Sequence, residues 1–112
     1  MELTFEGFWK FCQERLNVGD VIPNWSVSGR IQIAKFKIVE ITENGIGYDS
    51  PNAEYTQNVS KNEFQQIFNV WDDYEKGSIP RHELREMNKK TTYIIATIKY
   101  VEDMIKNIFH TN

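Results

Sequence analysis

The chain has 112 residues, 40% of them hydrophobic and 26% charged, with 13 Lys and Arg against 16 Asp and Glu for a net charge of −3. Such a length and balance suit one folded domain, residues 1–112, and exclude a disordered, fibrous or disulfide-stapled chain. No apolar run nears the ~20 residues that span a bilayer, Met1-Glu2-Leu3-Thr4 lacks the basic-then-apolar layout of a signal peptide, and the lone Cys12 cannot form an internal disulfide, so a soluble cytoplasmic protein is expected.

In chain order, Phe5, Phe8, Trp9, Cys12 and Leu16 repeat at helical spacing behind Thr4, a natural N-cap, and Asn17 with Gly19 ends the helix. Val21 and Ile22 read as a short strand, followed by a loop that carries Trp25. Ile31 to Thr42 is rich in β-branched residues but alternates unevenly, which predicts a bulge near Ala34 or burial on both faces. Glu43-Asn44-Gly45 predicts a tight hairpin of type I′, because Asn-Gly tolerates the positive φ that such a turn needs. Ile46 and Tyr48 mark the returning strand, and Ala53, Tyr55, Gln57 and Val59 alternate like a further half-buried one.

Ser60 and Glu63 have capping-box spacing and open a helix striped by Phe64, Ile67, Phe68, Trp71 and Tyr74, which Gly77 closes. Ser78 and Pro80 begin a short helix with Leu84 and Met87 on its apolar side, ending around Asn88-Lys89-Lys90. Thr91 or Thr92 caps a last helix running to about Phe109, whose face of Ile94, Ile95, Ile98, Val101, Ile105 and Ile108 should make it the most buried. The expected fold class is α+β: one helix, a small antiparallel meander of three to four strands, then three helices, with the sheet laid on the helices because so small a sheet is unstable bare.

Signs of catalysis are few. His82 sits on a short helix and His110 near the end, Cys12 lies on an apolar face, and no Cys/His pair has metal-ligand spacing; no phosphate-cradling glycine loop or nucleophile elbow is present. A nuclease-like trio of Glu40, Asp49 and Lys37 can meet across the Asn44-Gly45 hairpin, yet two carboxylates hold Mg²⁺ feebly and cross-strand pairing accounts for the same residues. No enzyme activity, metal or cofactor is expected.

Charge is uneven: residues 1–76 hold seven basic and twelve acidic side chains, residues 77–112 six and four. In that basic third, the run from Pro80 to Tyr100 places Leu84 and Met87 on a short helix, then a polar turn, then Ile95 and Ile98 on a second helix. It resembles the helix-turn-helix motif, whose second helix enters the major groove of DNA. The resemblance implies base contact by Lys89, Lys90, Thr91, Thr92 and Tyr93 and phosphate contact by Arg81 and Arg85; Lys99 extends the same basic edge. Arg85 departs from the small residue, and Lys89 from the turn glycine, that the motif prefers. The pattern Val59-Ser60-Lys61-x-Glu63-Phe64, Trp71-x-x-Tyr74-x-x-Gly77, Arg81-x-Glu83-Leu84 and Thr92-Tyr93-Ile94-Ile95 is similar to small uncharacterised modules on bacterial mobile elements or accompanying restriction-type endonucleases, which implies work on DNA or with a DNA-acting partner.

A binding module for nucleic acid is therefore the first expectation. The alternative is a protein-interaction module, an inhibitor, adaptor or homodimer, that uses the acidic body or an apolar surplus on the last helix at Tyr93, Tyr100, Met104 and Phe109.

Overall fold

A computed structural model describes residues 3–27, 35–51 and 53–110, leaving aside the side chains of residues 109 and 110. The chain runs α1 (Phe5–Arg15), β1 (Val21–Pro23), β2 (Lys35–Thr42), β3 (Gly45–Asp49), β4 (Gln57–Ser60), α2 (Lys61–Phe68), α3 (Trp71–Glu75), α4 (Arg81–Met87) and α5 (Thr91–His110). The α+β class is as expected. The strands form one antiparallel meander in the order β1-β2-β3-β4, with helices against one face.

Local chemistry explains most boundaries. Thr4 Oγ1 accepts from Gly7 N at 3.1 Å to cap α1. Ser60 and Glu63 exchange both bonds of the capping box, 3.2 and 3.0 Å, and so start α2 directly out of β4. Gly77 adopts φ +86°, the left-handed conformation that terminates the α3 turn without a Cβ penalty.

Four expectations shift in detail. The hairpin falls where expected, but Thr42 pairs with Gly45, so Glu43 and Asn44 occupy the turn, and neither they nor Gly45 has positive φ. The turn is not type I′; Thr42 Oγ1 accepts from Asn44 N at 3.3 Å and sets it instead. Gly45 serves closeness rather than φ, since a Cβ there would lie 2.7 Å from the Val59 carbonyl oxygen of the neighbouring strand. The bulge lies between Ile38 and Glu40, while Ala34 falls outside the described residues. Of the run Ala53 to Val59 only Gln57 onward pairs, leaving Tyr55 73% exposed. The stripe from Phe64 to Tyr74 is interrupted at Asn69-Val70, two poor helix formers, where Val70 leaves the α region at φ −115°, ψ 12°. That break lets Phe64 and Ile67 face α1 and the sheet while Trp71 and Tyr74 turn to Trp25.

The helix α5 is the axis of the core. Ile94, Ile95, Ala96, Ile98 and Val101 are at most 1% exposed, and the helix touches α1, α2 and β1. Against it lie the inward residues of the sheet, Ile22, Phe36, Ile38, Ile46, Tyr48 and Val59, and an aromatic group of Phe5, Phe8, Trp9, Phe64 and Phe68. Trp9 Nε1 donates to the Glu43 carbonyl at 3.0 Å and pins α1 to the hairpin tip. No helix among the described residues is long and apolar enough to cross a membrane.

Candidate nucleic-acid interface

The corner between α4 and α5 is built from one buried anchor and a locked turn. Leu84 is fully buried and seats α4, whose other residues from His82 to Met87 are exposed. Asn88 organises the turn: its Oδ1 accepts from Lys90 N at 2.7 Å, and its Nδ2 donates to Glu63 Oε2 at 2.8 Å and Gln66 Oε1 at 3.3 Å. The Thr91 hydroxyl, fully buried, reaches back to the carbonyls of Leu84 and Asn88. It therefore braces the turn rather than capping α5, because Ile94 N already bonds the Lys90 carbonyl.

Six of the eight basic-edge residues have structural partners. Arg81 donates to the Trp25 carbonyl at 3.1 Å and to Thr92 Oγ1 at 3.2 Å, which occupies both Arg81 and Thr92. Lys90 Nζ donates to the Asn58 carbonyl at 2.5 Å and to Glu63 Oε1 at 3.3 Å. Burial works against ionisation of Glu63, but bonds from Ser60 N and Asn88, together with Lys90, hold its carboxyl below the ordinary glutamate value. Tyr93 packs on Phe36 and Tyr48, with ring centroids 4.6 and 5.3 Å away. Lys99, about 9 Å beyond Tyr93 along the helix axis, is enclosed by Glu75, Glu102 and Asp103 at 3.7, 3.5 and 3.1 Å. In the first turn of α5, Thr91 is thus buried, while Thr92 and Tyr93 are partly buried, Thr92 held by Arg81 and Tyr93 packed on the sheet.

Arg85 and Lys89 remain. Both are exposed, four residues apart at the α4 end of the corner, with no hydrogen-bond or ion-pair partner among the described residues. Glu83 and Glu86 share the exposed side of α4, so the surface is mixed in sign.

The opposite face of the sheet holds the nuclease-like trio of Glu40, Asp49 and Lys37. The bulge after Ile38 turns Glu40 to the same exposed face as Lys37 and Asp49; Lys37 stands opposite Asp49 in the strand register, and Asp49 Oδ1 accepts from Thr56 at 2.8 Å. A shallow groove of about 380 Å³ runs beside it between Glu40, Gly47 and Lys90. Its carboxylates, Glu40 and Glu63, disfavour phosphate there. No three His, Cys, Asp or Glu side chains among the described residues converge as a cation site.

Sequence reasoning overlooked Asn88 as the organiser of the turn and overlooked the Glu75-Lys99-Glu102 group. The second left a signal, since Lys99, Glu102, Asp103 and Lys106 stand at i, i+3, i+4 and i+7 on one helix side. Comparison with protein-family models, with curated proteins and with solved structures finds no match for this chain.

Proposed function

We propose that this domain is a non-enzymatic binding module that meets nucleic acid through backbone phosphates at the α4–α5 corner. The observation that carries the reading is the pair Arg85 on α4 and Lys89 in the following turn, both exposed and without a side-chain partner among the described residues, beside a turn that Asn88 and Thr91 brace. A braced mount spares affinity the entropy of ordering a loop. Phosphate contact with little base reading follows from the engaged first turn of α5.

Two phosphate contacts set the scale of the test. Counterion release gives a log–log salt slope of about −2, so affinity for a fluorescent mixed-sequence duplex should fall roughly tenfold between 50 and 200 mM salt. Fluorescence anisotropy is expected to show binding tighter than about 100 μM at 50 mM salt. Arg85→Glu with Lys89→Glu should abolish it, whereas Lys10→Glu on α1 should leave it unchanged. Absence of binding, or binding indifferent to the double change, overturns the reading.

Catalysis is not part of it. Plasmid DNA incubated with Mg²⁺ or Mn²⁺ is expected to stay intact, since Asp49 accepts from Thr56 and a two-carboxylate site holds these ions weakly. Nicking that disappears in both Glu40→Gln and Asp49→Asn would move the function to metal-assisted cleavage.

The second reading, a protein-interaction surface on the last helix, is favoured by one feature. Ile108 is 44% exposed beyond half-buried Met104 and Ile105, so the final turns of α5 outrun the layer they pack on. Tyr93 no longer counts toward that surplus, being packed on the sheet, and the Phe109 side chain lies outside the described residues. A second copy of the chain is the simplest partner, and sedimentation at two concentrations distinguishes it from a monomer.

A further inference from the structure

Where α3 meets the middle of α5, the charges do not balance. Three carboxylates, Glu75 from α3 and Glu102 and Asp103 from α5, face two ammonium groups, Lys99 and Lys106. Lys99 Nζ lies 3.7 Å from Glu75, 3.5 Å from Glu102 and 3.1 Å from Asp103, and Lys106 Nζ lies 3.7 Å from Glu102. The ring of Trp25 closes the site over Lys99 at 5.1 Å, and Asp73 and Lys76 next to Glu75 neutralise each other at 3.3 Å. Asp72, on the same short helix, is exposed.

The excess negative charge sits on a group that water barely reaches. Glu102 is only 5% exposed; its Oε2 accepts from Trp71 Nε1 at 3.2 Å, but its Oε1 is buried and receives no hydrogen bond from either lysine. A buried acceptor without a donor is costly. Glu75 and Glu102 meet on one ammonium, Lys99 Nζ lying 3.7 Å from Glu75 Oε2 and 3.5 Å from that same unsatisfied Glu102 Oε1. A proton on Glu75 cures both defects at once, supplying the missing donor and bringing the corner to neutrality.

We propose that a single proton, carried by Glu75 and donated to Glu102, latches α3 onto α5, and that losing it loosens this corner of the fold. α3 depends on such a latch because it has five residues and no side-chain cap at its start, and Trp71, Tyr74 and Glu75 are the side chains it sends toward Trp25 and α5. Deprotonation places two like charges side by side across the α3–α5 contact.

The pH window follows from the two carboxyls. Burial, then the bond and charge of Glu102, push Glu75 up to about 7. Its contribution to stability is complete below the ordinary glutamate value and fades as pH rises through 7. Glu102 moves the other way: burial raises it, but the bonds from Glu75 and Trp71 and the two lysines outweigh that and hold it low, so its contribution is complete above the ordinary value and is lost only in acid. The latch is therefore closed near pH 5.5 and open near pH 8.

Carbon-detected NMR titration of the glutamate carboxyls in the intact protein should find one that titrates near 7. In thermal melts the wild type should lose about 3 °C more than Glu75→Gln between pH 5.5 and pH 8, because the glutamine amide keeps a donor on Glu102 at either pH. The comparison cancels every titration that the two proteins share. All glutamates titrating below pH 5.5 overturns the proposal without need of any variant, and so does a Glu75→Gln protein whose melting temperature follows the wild-type pH dependence.

Discussion

Trp71→Ala is expected to cost about 3–5 kcal/mol, the largest loss among the substitutions considered, because it empties a fully buried site and strands a charge. Trp71 is 1% exposed and packs its ring on Trp25 and Tyr74, 5.8 and 5.7 Å away between centroids. Its indole N–H also donates to the buried Glu102 carboxylate at 3.2 Å. Trp71→Phe separates the two roles: it keeps most of the packing, loses the donor and should cost about 1–3 kcal/mol. Urea unfolding followed by circular dichroism measures both, with an unchanged denaturant slope as the sign that stability alone has moved. A loss below about 1 kcal/mol for alanine would mean that α3 contributes little to the core, contrary to the burial of Trp71.

Thr97→Val is expected to cost more than Tyr48→Phe, although each removes one partner of the same hydrogen bond. Tyr48 and Thr97 are both fully buried, their oxygens 2.5 Å apart, and Thr97 Oγ1 lies 2.8 Å from the Tyr93 carbonyl, to which it donates. Thr97 has one hydroxyl proton, already committed to Tyr93, so the Tyr48 hydroxyl is the donor in the shared bond. Burial pushes the Tyr48 phenol upward, which keeps that proton in place. Removing the acceptor strands the phenol in the core, at about 2–3 kcal/mol; removing the phenol leaves Thr97 satisfied, at about 1 kcal/mol. The double variant should be less unstable than Thr97→Val alone, a non-additivity that a double-mutant cycle by urea unfolding reads directly. Equal costs would assign the protons the other way round.

These two sites show which features were legible in the amino-acid order. Trp71, Tyr48 and Thr97 all lie in elements that spacing and turn chemistry locate, and the positions of α1, α4 and α5 follow from caps and apolar periodicity. The pairing of Tyr48 with Thr97, 49 residues away, was not legible. Nor was the interruption of the Phe64 to Tyr74 stripe, because a helical period continues across Asn69-Val70 even though the backbone does not. The type I′ expectation failed for a related reason. Asn44-Gly45 is compatible with positive φ, but the register with β4 brings Val59 so close to Gly45 that the glycine is used for clearance inside a strand.

By itself the amino-acid order determined the α+β class, the succession of elements apart from the α2–α3 break, and most of the core, since caps, glycine stops and apolar periodicity act within a turn or two of chain. It also determined where the cations lie. Only the tertiary structure decided which of them are available, because electrostatic partners are chosen in space: Lys90 meets Glu63 across 27 residues and Arg81 meets Trp25 across 56. A lysine beside a distant carboxylate reads the same, letter by letter, as one facing water. Folding gives Arg81, Lys90 and Lys99 partners, buries Thr91, packs Tyr93 on the sheet and leaves Arg85 and Lys89 exposed to solvent.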